Sequence, residues 1–125
     1  MSQYDFKSLG LNPALVDNLS SLGYSEMTPV QAQGLPPILA NKDVIAKAKT
    51  GSGKTATFAL GLLNKLEVKK FRVQTLVLCP TRELADQVAI EIRKLARGIH
   101  NIKVLTLCGG MAFGPQVGSL EHGAH

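Results

Sequence analysis

Ala48-Lys49-Thr50-Gly51-Ser52-Gly53-Lys54-Thr55 decides how this chain folds. It follows an apolar, strand-like run, Asp43-Val44-Ile45-Ala46-Lys47, and opens a helix-like stretch, Ala56-Thr57-Phe58-Ala59-Leu60. The spacing is that of a phosphate-cradling loop, with Ala48 standing where the pattern has its first Gly. A polyphosphate needs several backbone N–H groups converging on one point, and residues such as Gly51 and Gly53 let the backbone curl that tightly. The helix that follows adds the effect of about half a positive charge at its N-terminus. In such a loop Lys54 reaches the β and γ phosphates and Thr55 offers its hydroxyl to Mg²⁺. The bland alternative is a glycine-rich turn with no ligand. The strand before and the helix after argue against it.

Working outward, Asn12-Pro13 reads as a helix start, Leu15, Val16, Leu19 and Leu22 form one apolar stripe, and Gly23 ends it. Thr28-Pro29 repeats the start signal for a second helix carrying Val30, Leu35 and Ile38-Leu39, disturbed at Pro36-Pro37. Beyond the phosphate loop, Phe58, Leu62, Leu63 and Leu66 space as a helix. Thr75 to Cys79 is a continuous apolar run, as in a strand covered on both faces, and Pro80 stops it. Thr81 then caps a helix whose inner face is Leu84, Val88, Ile92 and Leu95, ending at Gly98. Lys103 to Cys108 reads as a third strand, halted by Gly109-Gly110, and a short helix is expected near Gln116 to Glu121.

Strands alternating with amphipathic helices predict an α/β fold, a parallel sheet with helices on both faces. Ligands of such sheets sit beyond the carboxyl ends of the strands. The phosphate loop, Pro80-Thr81-Arg82-Glu83 and Gly109-Gly110 all fall at those ends.

Composition bounds the reading. The 125 residues are 45% hydrophobic and 18% charged, which suits one globular domain and is small for a complete nucleotide hydrolase. A net charge of +5 suits an anionic partner, nucleic acid included, though it also suits plain solubility. Cys79 and Cys108 each end an apolar run and read as small buried thiols, with a disulfide or reactive thiol as the alternative. The longest apolar runs are too short for a bilayer and no charged-then-apolar leader is visible, so a cytoplasmic setting is the expectation. His122 and His125 lack an acidic or thiol companion and make an incomplete metal site.

Upstream, Gln31 carries an amide that donates and accepts at once, matching the N7 and N6 edge of adenine. Pairs of that kind are worth about 1–3 kcal/mol of base discrimination, or about ten- to a hundredfold between ATP and GTP. Phe6 or Tyr24 would pack on the base or hold its segment. Taken alone, Gln31 is an ordinary helix residue, and Arg82-Glu83 an ordinary solvated helix start.

Phe6, Gly23-Tyr24, Thr28-Pro29-Val30-Gln31, Ala48 to Thr55, Pro80-Thr81-Arg82-Glu83-Leu84 and Gly109-Gly110 occur in one order. That series resembles the Q motif, motif I, motif Ia and GG element of DEAD-box ATP-dependent RNA helicases, in which Ala commonly opens the phosphate loop. The resemblance runs from about Phe6 to the end of the chain. It implies a RecA-like domain, divided here into an N-terminal helical Q-motif region at 1–33 and a partial ATP-binding domain at 34–125. It implies ATP and Mg²⁺ as cofactors, held by Phe6, Tyr24, Gln31, Ala48, Thr50, Gly51, Ser52, Gly53, Lys54 and Thr55. Lys54 and Thr55 would serve the chemistry, with Thr55 on the metal. RNA, with ribosomal RNA as a candidate, would lie on Pro80, Thr81, Arg82, Gly109 and Gly110. A helix N-terminus and bare glycine amides are sequence-blind donors to phosphate.

No Asp-Glu-Ala-Asp, nor any acidic pair after an apolar strand, occurs beyond Gly110. Phosphate hydrolysis needs a carboxylate to hold Mg²⁺ and orient water. The expectation is therefore the first part of a truncated RecA-like (P-loop NTPase) domain, binding adenine nucleotide weakly and without turnover. A non-catalytic nucleotide- or RNA-binding half-domain, or another P-loop NTPase or kinase, is the alternative. Unpaired apolar strand edges predict self-association.

Overall fold

The computed structural model describes residues 4–125. A 3-10 turn, Phe6–Leu9, leads to α1 (Pro13–Ser21), α2 (Pro29–Leu39), α3 (Lys54–Lys65), α4 (Arg82–Leu95), a second 3-10 turn (Ala96–Gly98) and α5 (Phe113–Glu121). The start signals act as the sequence predicts at two helices. Asn12 Oδ1 accepts from Ala14 N at 2.9 Å and Pro13 takes the first helical position. Thr81 Oγ1 accepts from Leu84 N at 3.1 Å.

The core forms where α1, α3 and α4 meet. Leu15, Leu19, Leu60, Leu63 and Leu95 are almost wholly buried, each gaining about 1.5–3 kcal/mol from leaving water. On α4 the inner face is Val88, Ala89, Ile92 and Leu95, whereas Leu84, expected there, is exposed because it sits in the first turn beyond the core's edge. Polar groups are matched across the same contact: Asn18 Nδ2 donates to the terminal carbonyls of α4, Lys94 O at 2.9 Å and Leu95 O at 3.0 Å.

Pro36 and Pro37 do not end α2, which runs on to Leu39. A proline inside a helix costs about 3 kcal/mol. Close packing against α3 offsets it. A Cβ at Gly61 would collide with Ile38 Cγ2, and one at Gly34 would stand 2.9 Å from Thr57 Cγ2, so a glycine on each helix admits a side chain of the other.

The stretches expected as strands run free of helix and turn at 42–49, 73–79 and 102–108, and no ladder joins them among the described residues. Between the last two, His125 forms a bridge: its N donates to Lys103 O at 3.1 Å, and its O accepts from Gln74 N at 2.7 Å and Thr75 N at 3.2 Å. A cavity of about 540 Å³ is lined by both segments, by α3 and by α4. Val77 and Cys79 pack on the core while Leu76 and Leu78 are 77% and 84% exposed, so this run alternates like a strand but is covered on one face.

Candidate functional site: a phosphate loop and a glycine-edged rim

The phosphate loop takes the geometry its glycines allow. Gly51 and Gly53 have φ of 80° and 92°, and Gly53 is the N-cap of α3, so Lys54 and Thr55 start the helix. Lys54 folds back, its ammonium donating to Ala48 O. Ser52 Oγ is buried with no hydrogen-bond partner. An orphaned hydroxyl inside a loop of bare amides beside a lysine fits an anionic phosphate group.

The carbonyl of Gly53 is the junction between this loop and α2. It accepts from Gln31 Nε2 at 3.3 Å, from Thr57 Oγ1 at 2.8 Å and from Thr57 N at 3.1 Å. Gln31 is 2% exposed, and its Oε1 accepts from Thr28 N at 2.9 Å, fixing the start of α2. Thr28 Oγ1 is buried without a partner beside Gly53. Gln31, expected at the base, thus lies inside the protein with each end of its amide on backbone.

Phe6 is buried in the core, and the segment before α2 is tied to the N-terminal residues by Met27 N donating to Tyr4 O at 2.7 Å. Next to that tie is a small recess of about 190 Å³ lined by Tyr4, Pro29, Ala32 and Gln33. Tyr4 carried no sequence signal, since it precedes the first motif. Tyr24 lies instead against α4. Its hydroxyl donates to Glu91 Oε1 at 3.0 Å and Lys94 Nζ stands 5.8 Å from its ring centroid. Burial first, and then the Glu91 carboxylate, push the phenol above its usual value.

On the second rim, Pro80 and Thr81 lead into α4 and Arg82 opens it. Gly110, at φ 76°, lies so close to Arg82 that a Cβ there would be 2.9 Å from Nη1. Arg82 and Gly109-Gly110, far apart in sequence, are thus neighbours, and Arg82 makes no ion pair among the described residues. The histidines are engaged elsewhere. His125 Nδ1 accepts from Lys103 N at 3.1 Å and Nε2 meets Val68 O at 2.9 Å, while His122 Nδ1 meets Gly118 O at 2.7 Å. No group of three metal-ligating side chains occurs among the described residues. Cys79 and Cys108 are free, half-buried thiols. No described helix is long and apolar enough to cross a membrane.

A glycine-built phosphate loop opening a helix, together with a turn in which Gly110 meets Arg82, is the arrangement of an α/β domain of the phosphate-loop class. The chain belongs to the DEAD/DEAH box helicase family, whose model matches residues 28–125. It is 63% identical over 115 residues to the ATP-dependent RNA helicase DbpA of Escherichia coli (strain K12), covering 92% of this chain and 25% of that protein. Among solved structures it is similar to a DEAD box protein from Methanococcus jannaschii, with a TM-score of 0.89 and 34% identity, covering 97% of this chain and 33% of that one. It is also similar to Dbp5 of S. cerevisiae bound to RNA and ADP BeF3, with a TM-score of 0.75 and 29% identity, covering 80% of this chain and 26% of that one. The fold is accordingly that of a RecA-like domain, and the chain spans about a quarter to a third of the length of these relatives.

Proposed function

We propose that this chain is the ATP-binding portion of the first domain of an ATP-dependent RNA helicase, with a Q-motif region at 1–33 and the RecA-like part at 34–125. The observation that carries the reading is the phosphate loop itself, with Gly51 and Gly53 in left-handed geometry, α3 opening at Lys54 and the Ser52 hydroxyl left without a partner. Lys54 leaves Ala48 O to meet the terminal phosphates, and the loop amides from Thr50 to Gly53 hold the phosphates nearer the sugar. Thr55 Oγ is the ligand this chain offers to Mg²⁺, which when bound would neutralise phosphate charge. The recess lined by Tyr4 and Pro29 takes the base. Gln31 keeps one N–H and one lone pair beyond its bonds to Gly53 and Thr28, the donor and acceptor that reading adenine requires.

On the rim, the amides that start α4, the Arg82 guanidinium and Gly109-Gly110 hold an RNA backbone by its phosphates. In the full-length protein, RNA-dependent ATP hydrolysis would drive local duplex unwinding. The 125-residue chain by itself binds nucleotide weakly and does not turn it over, because no acidic pair follows an apolar strand beyond Gly110. That same observation favours a second reading, a half-domain whose role is binding alone.

Calorimetric titration of Mg-ATP into the full-length protein tests the first reading. Binding should be present in the wild type and lost in Lys54→Ala with the fold intact. Equal binding by both would overturn the assignment of the loop.

A further inference from the structure

The Gly109-Gly110 turn is held by a residue outside it. Gln116, one turn into α5, accepts at Oε1 from Cys108 N at 2.7 Å and donates from Nε2 to Cys108 O at 3.1 Å. The same Nε2 lies 3.1 Å from Ala112 O. One side-chain amide therefore takes both backbone polar groups of the last residue before the glycines and a carbonyl just after them. A side-chain amide here does what a neighbouring strand's peptide would do. The turn between these anchors is the part that carries Gly110 at φ 76° against Arg82.

We propose that Gln116 is a positioning residue which fixes the Gly109-Gly110 amides in register with the Arg82 guanidinium, making one receptor for an RNA phosphodiester. The inference rests on the reading of this rim as an RNA site. Backbone donors bind phosphate well only when they are already held where the oxygens will be, since ordering a loose turn at the moment of binding subtracts from affinity. Glycines lack the side chains that would order the turn from within, so the order comes from outside, through Gln116. The effect belongs to RNA binding and not to the nucleotide loop, whose contacts run through α2 and α3.

The test uses the full-length protein and measures RNA-stimulated ATPase with a single-stranded homopolymer RNA. Gln116→Met keeps the length of the side chain and removes its hydrogen bonds. It should raise the RNA concentration for half-maximal rate about tenfold, while kcat at saturating RNA and the Kd for Mg-ATP stay within about twofold. Gln116→Glu keeps the bond from Cys108 N, turns a carboxylate toward the Cys108 and Ala112 carbonyls, and should weaken RNA at least as much. The amide resonances of Gly109 and Gly110 should broaden in both. Arg82→Ala is the control for the rim. If Arg82→Ala weakens RNA and neither Gln116 variant does, the positioning role is wrong and the rim stands. If none of the three weakens RNA, the rim reading falls, and this inference with it. A parallel fall in melting temperature, ATP affinity and RNA affinity in both Gln116 variants would show a structural role only and overturn the proposal.

Discussion

Gln31 Nε2 meets the carbonyl of Gly53 at 3.3 Å, so a residue in the first turn of α2 and the residue that caps α3 share one hydrogen bond. The approach needs glycine twice over. Gly53 has φ of 92°, and a Cβ on it would lie 2.5 Å from Gln31 Nε2 and 3.0 Å from Thr28 Oγ1. The α2 start and the phosphate loop are thus one rigid unit, and a change at either partner should be felt at both.

Gly53→Ala tests that unit. The left-handed conformation alone costs a residue with a side chain about 1–2 kcal/mol, and here the added methyl also displaces Gln31. Gly10→Ala is the comparison, because Gly10 has φ of 70° but nothing within 4 Å of an added Cβ. Denaturant unfolding should show both variants destabilised. Nucleotide titration should show affinity lost in Gly53→Ala and kept in Gly10→Ala.

Gln31→Ala separates two roles for one amide. As a brace, Gln31 supports the loop whatever base is bound, and its loss weakens ATP and GTP alike. As a reader of adenine, it adds a preference worth about 1–3 kcal/mol, so ATP should suffer more than GTP. Both roles are expected together: a fall for each nucleotide, larger for ATP by about tenfold. Equal losses in paired titrations would leave the brace and remove the reader.

What the sequence disclosed and what it hid follow one physical division. Features with a local cause were legible. Gly51 and Gly53 adopt the left-handed backbone their spacing implies, and Asn12 and Thr81 cap the helices they precede. Features decided by distant partners were not. The prolines of α2 read only as a disturbance, and what offsets them, the packing of Ile38 over Gly61, is a contact between helices that no local pattern shows. The Tyr24–Glu91 bond spans 67 positions and the pairing of Arg82 with Gly110 joins two motifs, so no local pattern announces either. Gln116 was missed for another reason. An amide imitating a strand neighbour leaves no signature in periodicity, and only the bare Gly109-Gly110 turn hinted that something must hold it.

Tyr24→Phe gives a pH-dependent stability change. Burial and the Glu91 carboxylate raise the folded-state pKa of Tyr24 above the unfolded value, near 10. A raised pKa means that the protonated phenol is the stabilising form. Its contribution is fully present below about pH 10 and is lost as pH rises through the higher folded value. Removing the hydroxyl should cost about 1 kcal/mol at neutral pH, and the difference from wild type should shrink as the wild type ionises. Urea unfolding at a series of pH values from neutral to strongly alkaline checks this. A difference that persists unchanged at the alkaline end would rule out the bond to Glu91 as its source.

Leu76 and Leu78 are expected to drive association between copies of this chain. They are 77% and 84% exposed on a segment that has strand-like alternation but no ladder partner among the described residues. Exposed apolar side chains on an unpaired extended edge are the usual template for pairing with another chain. Ile45, fully exposed on segment 42–49, adds to the same liability. Val77 and Cys79, which alternate with the two leucines, pack on the core, so charge placed at 76 and 78 leaves that packing alone. In sedimentation velocity the 125-residue chain should therefore shift toward larger species as concentration rises. The double variant Leu76→Lys, Leu78→Lys should remain monomeric over the same range with an unchanged far-ultraviolet spectrum. A wild-type chain that stays monomeric at the highest concentration reached would show that this edge is protected by means other than charge.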